Sequence, residues 1–131
     1  MQNLKTIFTL VLCTLLTSCS PKWINGGWTG TGYQVDGNTW EVNMYADWDT
    51  GFEITYPDLS CGGVWDLTSQ ERIHLFFRET IEYGQDNCDQ GLEVRVKRIS
   101  KDKIEVEYWV ASYTLDEPIA TAQLTRIPQG Q

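Results

Sequence analysis

The stretch LEVRVKRISKDKIEVEYWVA, Leu92 to Ala111, alternates apolar and polar residues on both sides of Ser100-Lys101-Asp102. A period of two sends successive side chains to opposite faces of a strand, so Leu92, Val94 and Val96 share one face with Arg98, and Arg95 lies on the other. Beyond the turn, Val106, Tyr108 and Val110 take the inward phase, while Glu105, Glu107 and Trp109 take the outward one. This is the pattern of an antiparallel hairpin with one buried face.

The same period extends in both directions. GWTGTGYQV runs into Asp36-Gly37-Asn38, a strong hairpin signal, and TWEVNMYA sets Trp40, Val42 and Met44 against Glu41 and Asn43. GFEITY puts Phe52, Ile54 and Tyr56 on one face, and Pro57 ends that strand because it cannot donate to a ladder. GVWDLT reads as a short strand. RIHLFFRETIEY is long, with Ile73, Leu75, Phe77, Ile81 and Tyr83 in one phase and His74, Arg78 and Glu82 in the other, and IATAQLTRI closes the set. Eight strands and no helical period predict an all-β chain. Tight hairpins favour a small up-and-down antiparallel barrel, whose closure removes exposed edges. A β-sandwich would use the same pattern and is the alternative. Gly26-Gly27-Trp28 at the opening of the first strand and Arg126 near the end of the last resemble the Gly-x-Trp and terminal cation of calycins such as avidins and lipocalins. In those folds the cation packs on the tryptophan, so the resemblance implies a calycin-like barrel.

The chain begins differently. One positive charge, Lys5, precedes TIFTLVLCTLL, Thr6 to Leu16. That apolar run is too short for a transmembrane helix, which needs about 20 residues, and reads as a secretory signal. Leu16-Thr17-Ser18-Cys19 resembles the lipobox of bacterial lipoproteins, which implies cleavage before Cys19 and a lipid chain on its thiol. The expected organisation is residues 1–18 as signal peptide, 19–26 as lipidated cysteine and tether, with Trp23 beside the membrane, and 27–131 as one β domain. With Ser20 after the cysteine, the resemblance implies the bacterial cell envelope, at the outer membrane where the cell has one. A lipid anchor would make the membrane a partner without a spanning helix.

Processing would remove Cys13 and consume Cys19, leaving Cys61 and Cys88. Two cysteines in an oxidising compartment most simply form one disulfide. Zinc would need four ligands, and His74 is the only histidine. No metal or cofactor is expected. Of ten Lys and Arg the mature chain loses Lys5, which leaves nine against eighteen Asp and Glu. Such a surface argues against nucleic acid as a ligand, since phosphate binding relies on Lys and Arg, and would suit a basic partner.

The segments YPDLSCGGVW (Tyr56 to Trp65), FRETIEYG (Phe77 to Gly84), Cys88 and GLEV (Gly91 to Val94) are similar to a small bacterial extracytoplasmic domain with a YPxLxCGG…FxExIxxG…C pattern. That family occurs in lipoproteins and attached to larger proteins, and has no assigned activity. The resemblance supports the Cys61–Cys88 pairing and the all-β fold, and carries over no catalytic residue.

Several residues are candidates for function. Glu79 stands in the apolar phase between Phe77 and Ile81, where an ionised carboxylate needs a partner or a raised pKa. A structural pair with Arg98 is the expectation; a ligand contact and a catalytic acid are the alternatives. Pro57 and Gly62-Gly63 would present Asp58 at a rim. Trp48, between Asp47 and Asp49, and Trp109, on the outward phase, are candidates for stacking on a sugar or docking a partner. Trp65 is a further candidate, although core is the preferred reading for it, as for Trp28 and Trp40. GQDNCDQG lacks the spaced ligands of a calcium loop and reads as a turn. No catalytic motif accompanies His74, and the chain is expected not to be an enzyme. The expectation is a membrane-anchored binding module for a small apolar or saccharide ligand. The alternative is a protein-binding module, such as an inhibitor of a basic envelope hydrolase of the lysozyme type.

Overall fold

The computed structural model describes residues 21–111 and 116–129. The signal segment, Cys13 and Cys19 lie outside them. Eight strands form one closed antiparallel barrel in sequence order: β1 (Gly26–Gln34), β2 (Thr39–Asp47), β3 (Gly51–Tyr56), β4 (Cys61–Gln70), β5 (His74–Tyr83), β6 (Glu93–Ser100), β7 (Lys103–Trp109) and β8 (Ala120–Arg126). β8 closes onto β1 from Trp28↔Arg126 to Gln34↔Ala120. The barrel therefore replaces the sandwich alternative. Among the described residues no helix is long and apolar enough to cross a membrane.

The period-two reading explains the interior. Val94, Val96, Val106 and Tyr108 from the opening hairpin are buried, as are Leu75, Phe77 and Ile81 of β5. Two assignments in the long β5 segment change. Ile73 lies before the strand begins and Tyr83 emerges at the rim, and both are exposed. β4 is also longer than GVWDLT suggested, because it absorbs register shifts at Gly62/Gly63 and Leu67/Ser69. Bulges let a strand keep pairing while its phase changes, which simple alternation does not anticipate.

One end of the barrel is stopped. A 3-10 turn, Lys22–Ile24, lies beneath it with Ile24 and Trp28 fully buried. The Arg126 guanidinium stands 4.3 Å above the Trp28 ring, the contact implied by the calycin resemblance. The same guanidinium donates to the carbonyls of Asn25 and Trp23, and to that of Lys101 at 3.0 Å. It thereby binds the N-terminal turn and the β6–β7 turn to the last strand. Trp23 packs against this end, with Arg98 5.5 Å from its ring, instead of lying on a tether. The folded unit accordingly starts several residues before 27. The Trp23 indole nitrogen is buried with no hydrogen-bond partner among the described residues, and nothing in the structure explains it.

The other end is open. It gathers the β1–β2 turn, a 3-10 turn (Pro57–Leu59), the β5–β6 loop and the two flanks of the β7–β8 connection. Cys61 and Cys88 form a disulfide across a separation of 27 residues, tying the β5–β6 loop to the start of β4. Gly84 makes this approach possible. Its φ is +67°, and a Cβ there would collide with the Ser60 carbonyl oxygen.

Candidate functional site

The open mouth holds a cavity of about 550 Å³. Its wall comes from every loop at that end: Gln34, Asn38, Thr39 and Trp40 around the first hairpin, Tyr56, Asp58 and Leu59 at the 3-10 turn, Asp86 to Asp89 with Leu92 from the β5–β6 loop, and Tyr108, Ile119 and Ala120 opposite. Glu79 contributes from β5. Inward alternation put Trp40, Tyr56 and Tyr108 in the core phase. Their places near the open ends of their strands make them cavity wall as well, which phase alone does not reveal. Trp40 reaches its position by lying across Gly32, where a Cβ would come within 2.5 Å of the indole.

Glu79 is the single charged residue with a buried side chain among the described residues, at 3 % exposure. Its Cα pairs with that of Trp65 across the β4–β5 ladder, and the Trp65 indole N–H donates to Oε2 at 2.8 Å. The Tyr56 hydroxyl donates to the same oxygen, and the Tyr56 and Tyr108 hydroxyls are joined at 3.1 Å. Oε1 receives no hydrogen bond from the described residues. The expected Glu79–Arg98 pair does not form. The Glu79 N–H bonds the Leu92 carbonyl, whereas Arg98 lies six residues, about 20 Å, further along the same chain, at the stopped end. Both side chains point inward as expected, but at opposite ends of the barrel.

Burial pushes the Glu79 carboxyl above its ordinary range, the hydrogen bonds from Tyr56 and Trp65 pull it back in part, and Asp89 adds a further upward push. Burial also raises Tyr56 and Tyr108 far above an ordinary phenol, so both stay neutral donors at any physiological pH. A raised carboxyl binds its proton more tightly in the folded chain than in the unfolded one. Stability from this group is therefore complete below the unfolded value near 4.5 and is lost as pH rises through the folded value. Glu79→Gln keeps an acceptor for both donors, because they converge on one oxygen. The variant is expected to lose this slope and to melt at a higher temperature than the wild type at neutral pH, with little difference in acid. Parallel thermal melts across that range check it. Equal pH slopes in the two proteins would contradict a raised Glu79.

The other candidates separate. Asp58 stands exposed on the rim, where its carboxylate accepts the Glu41 backbone N–H at 2.9 Å and so caps β2 beyond the end of its β3 partner. Trp65 is fully buried below the carboxyl it serves. Trp48 is not a free loop indole. It is half-buried at the stopped end, its backbone N–H donating to Asn25 Oδ1 at 2.7 Å and its ring 6.1 Å edge-on to Phe52. Trp109 lies on the outer wall, half-covered by the Arg95 guanidinium at 4.3 Å. The structure thus brings Glu79 and Asp58 to the mouth, buries Trp65 beneath Glu79, and leaves Trp48 and Trp109 elsewhere. Gln90 was not anticipated: its side chain accepts from the Ile81 N–H and donates to the Ile81 carbonyl, serving β5 as a substitute strand neighbour. Among the described residues no three His, Cys, Asp or Glu side chains converge as a metal site.

No protein-family model and no curated protein sequence matches the chain. Solved structures do. A redesigned β-barrel, mFAP1 bound to DFHBI, superposes with a TM-score of 0.58 at 17% identity, covering 83% of this chain and 100% of that one. A de novo designed fluorescence-activating β-barrel gives 0.53 at 16% identity, over 85% of this chain and 100% of the other. Tp0751 (pallilysin) of Treponema pallidum gives 0.51 at 14% identity, over 97% of this chain and 98% of its own. At these identities the likeness is one of fold: a small closed antiparallel barrel.

Proposed function

We propose that this protein is a lipid-anchored module of a bacterial cell envelope that holds a small ligand in the mouth of its barrel and catalyses no reaction on it. The observation that carries this reading is the mouth cavity with a buried carboxyl in its wall. Small-molecule sites are concave, lined mostly by apolar and aromatic side chains, and furnished with a few polar groups that fix orientation. Here Trp40, Leu59, Leu92 and Ile119 offer apolar surface, while Asn38, Asn87 and the carboxyls offer polar edges. That mixture suits a ligand with one apolar face, as a saccharide ring has. The mFAP1 barrel bound to DFHBI illustrates that a barrel of this size can accept a small molecule.

The anchor agrees with this use of the mouth. The first described residue, Pro21, stands two positions after Cys19 and joins the turn beneath the stopped end. A membrane attached through Cys19 would therefore lie on that side, leaving the mouth open to the surrounding compartment. Retention of the precursor under globomycin, which blocks the lipoprotein signal peptidase, is the expected result in the host; unchanged processing would remove the anchor from this account.

The binding test is native mass spectrometry of residues 20–131 purified from the host's envelope extract. An added mass of a few hundred daltons is expected, lost on Ala120→Trp, which projects an indole into the cavity. A bare monomer from extract, with equally bare variants, would overturn the reading. The competing role, docking of a basic protein, draws on the acidic balance, yet Trp48 is half-buried against the stopped end and Trp109 is half-covered on the outer wall.

A further inference from the structure

We infer that the mouth cavity takes an organic cation, an amine or quaternary ammonium whose charged group pairs with Glu79 and whose apolar body lies against Trp40, Tyr56 and Tyr108. This deepens the binding-module reading above and rests on it. The first ground is the sign of the wall. Asp58, Glu79, Asp86 and Asp89 line the cavity, and among the described residues no Lys, Arg or His does. An anionic ligand would meet only like charge there.

The second ground is independent of the rim charges. Glu79 is buried with one oxygen occupied by two donors and the other without a partner among the described residues, and the inward-phase cations Arg98 and Arg126 are held at the opposite end, over Trp23 and Trp28. A buried carboxylate without a counter-charge is costly, and an incoming cation supplies what the fold withholds. Aromatic faces add attraction for such a group: a desolvated cation over Trp or Tyr is favoured by the ring quadrupole. A metal ion would ask for converging ligands, and the cavity carboxyls are dispersed. An apolar ligand would bury Glu79 further with no compensation.

Binding is then linked to the ionisation of Glu79. In the empty protein burial favours the protonated carboxyl. A bound cation favours the carboxylate instead, so binding and loss of the Glu79 proton to solvent are linked. The titratable groups around it do not compete, since Tyr56 from β3 and Tyr108 from β7 remain neutral, and Asp89 from the β5–β6 loop favours uptake of positive charge.

The test is isothermal titration of the soluble domain with matched pairs of probes: choline against dimethylbutanol, putrescine against butanediol, phenethylamine against phenylethanol. At least one cation is expected to bind about tenfold or more tightly than its uncharged partner, a difference of the size a charge-assisted bond supplies. Cation affinity should rise with pH as Glu79 ionises, since the cation pairs with the carboxylate. Glu79→Gln should bring the pair to within about twofold. Asp86→Asn with Asp89→Asn, both on the rim, should leave folding intact and weaken the cation mainly at low salt, so the charge argument is tested even if the Glu79 variant fails to fold. Equal affinity within every pair, binding that survives Glu79→Gln unchanged, or no binding by any cation would overturn the inference. If native mass spectrometry nevertheless finds an adduct in the cavity, the binding-module reading stands and only the cation is wrong. If neither experiment finds a ligand, both fall.

Discussion

Trp28→Ala is expected to destabilise the barrel by about 3–5 kcal/mol, the range for removing a large buried aromatic. Against a total of roughly 5–15 kcal/mol for a native domain, that leaves the fold marginal at 37 °C. The reason is positional. Trp28 is fully buried where β1 meets both β2 and β8; its indole N–H donates to the Ile24 carbonyl at 2.8 Å, and Arg126 stacks on its face. Removing the ring leaves a void, strands the Ile24 carbonyl, and frees the guanidinium that clasps three chain segments. Trp28→Phe keeps much of the volume but loses the donor, so an intermediate cost is expected. Arg126→Lys keeps a charge yet cannot span the Asn25, Trp23 and Lys101 carbonyls with one planar fork, so it is not conservative here. Urea unfolding of the single variants and of the Trp28→Phe/Arg126→Lys double gives both the costs and the coupling. A loss below about 1 kcal/mol for Trp28→Ala would mean that the stopped end is not held by this residue.

The residues whose contacts are set by alternation were legible in the sequence. Val94, Val96, Val106 and Phe77 are inward because a two-residue period leaves them no other face, and Trp28 meets Arg126 because both ends of the chain carried that signature. What the period cannot give is height along the barrel axis. Glu79 and Arg98 were both correctly placed inward, yet alternation is silent on whether two inward residues stand at the same level. That depends on the shear of the closed sheet and on bulges such as those at Gly62/Gly63 and Arg98/Ser100. The same gap hid the roles of Tyr56, Tyr108 and Trp40, which look like core by phase and become cavity wall by height. Trp48 failed for another reason. Flanking aspartates suggest exposure, but a loop indole folds back when a cap such as Asn25 and an aromatic such as Phe52 are within reach.

Height also orders the interior aromatics. From the stopped end upward, Trp48, Phe52, Phe77, Trp65, Tyr108 and Tyr56 follow one another with ring separations between 4.9 and 6.5 Å, mostly edge-on. The column is apolar at its base and ends in a donor N–H and two hydroxyls at the Glu79 carboxyl. Aromatic bodies with polar tips fill a narrow barrel while delivering hydrogen bonds at one level, so a rigid support for the site comes from the same residues that stabilise the fold.

Removing the disulfide is expected to act on stability and site together. Replacing Cys61 and Cys88 by alanine releases a loop spanning 27 residues, worth about 3.5 kcal/mol in the chain-entropy model. With an m-value of about 1.5 kcal/mol/M, the urea midpoint should fall by about 2 M. The released segment includes Asp86, Asn87 and Asp89, which stand on the cavity rim because Cys88 is tied to the first residue of β4. Gln90 and Ile81 would still hold the loop's far end, so local loosening should be concentrated between Gly84 and Asp89. Hydrogen exchange should show faster amides there, and any ligand captured by the mouth should bind more weakly by a larger factor than Glu79→Gln alone explains. The wild type treated with reductant in low urea should behave as the double variant does. An unchanged midpoint would mean that the bridge adds nothing to the folded state's advantage. A lowered midpoint with unchanged binding would mean that the rim is positioned by Asp58, Gln90 and the strand ends, and that the disulfide serves stability alone.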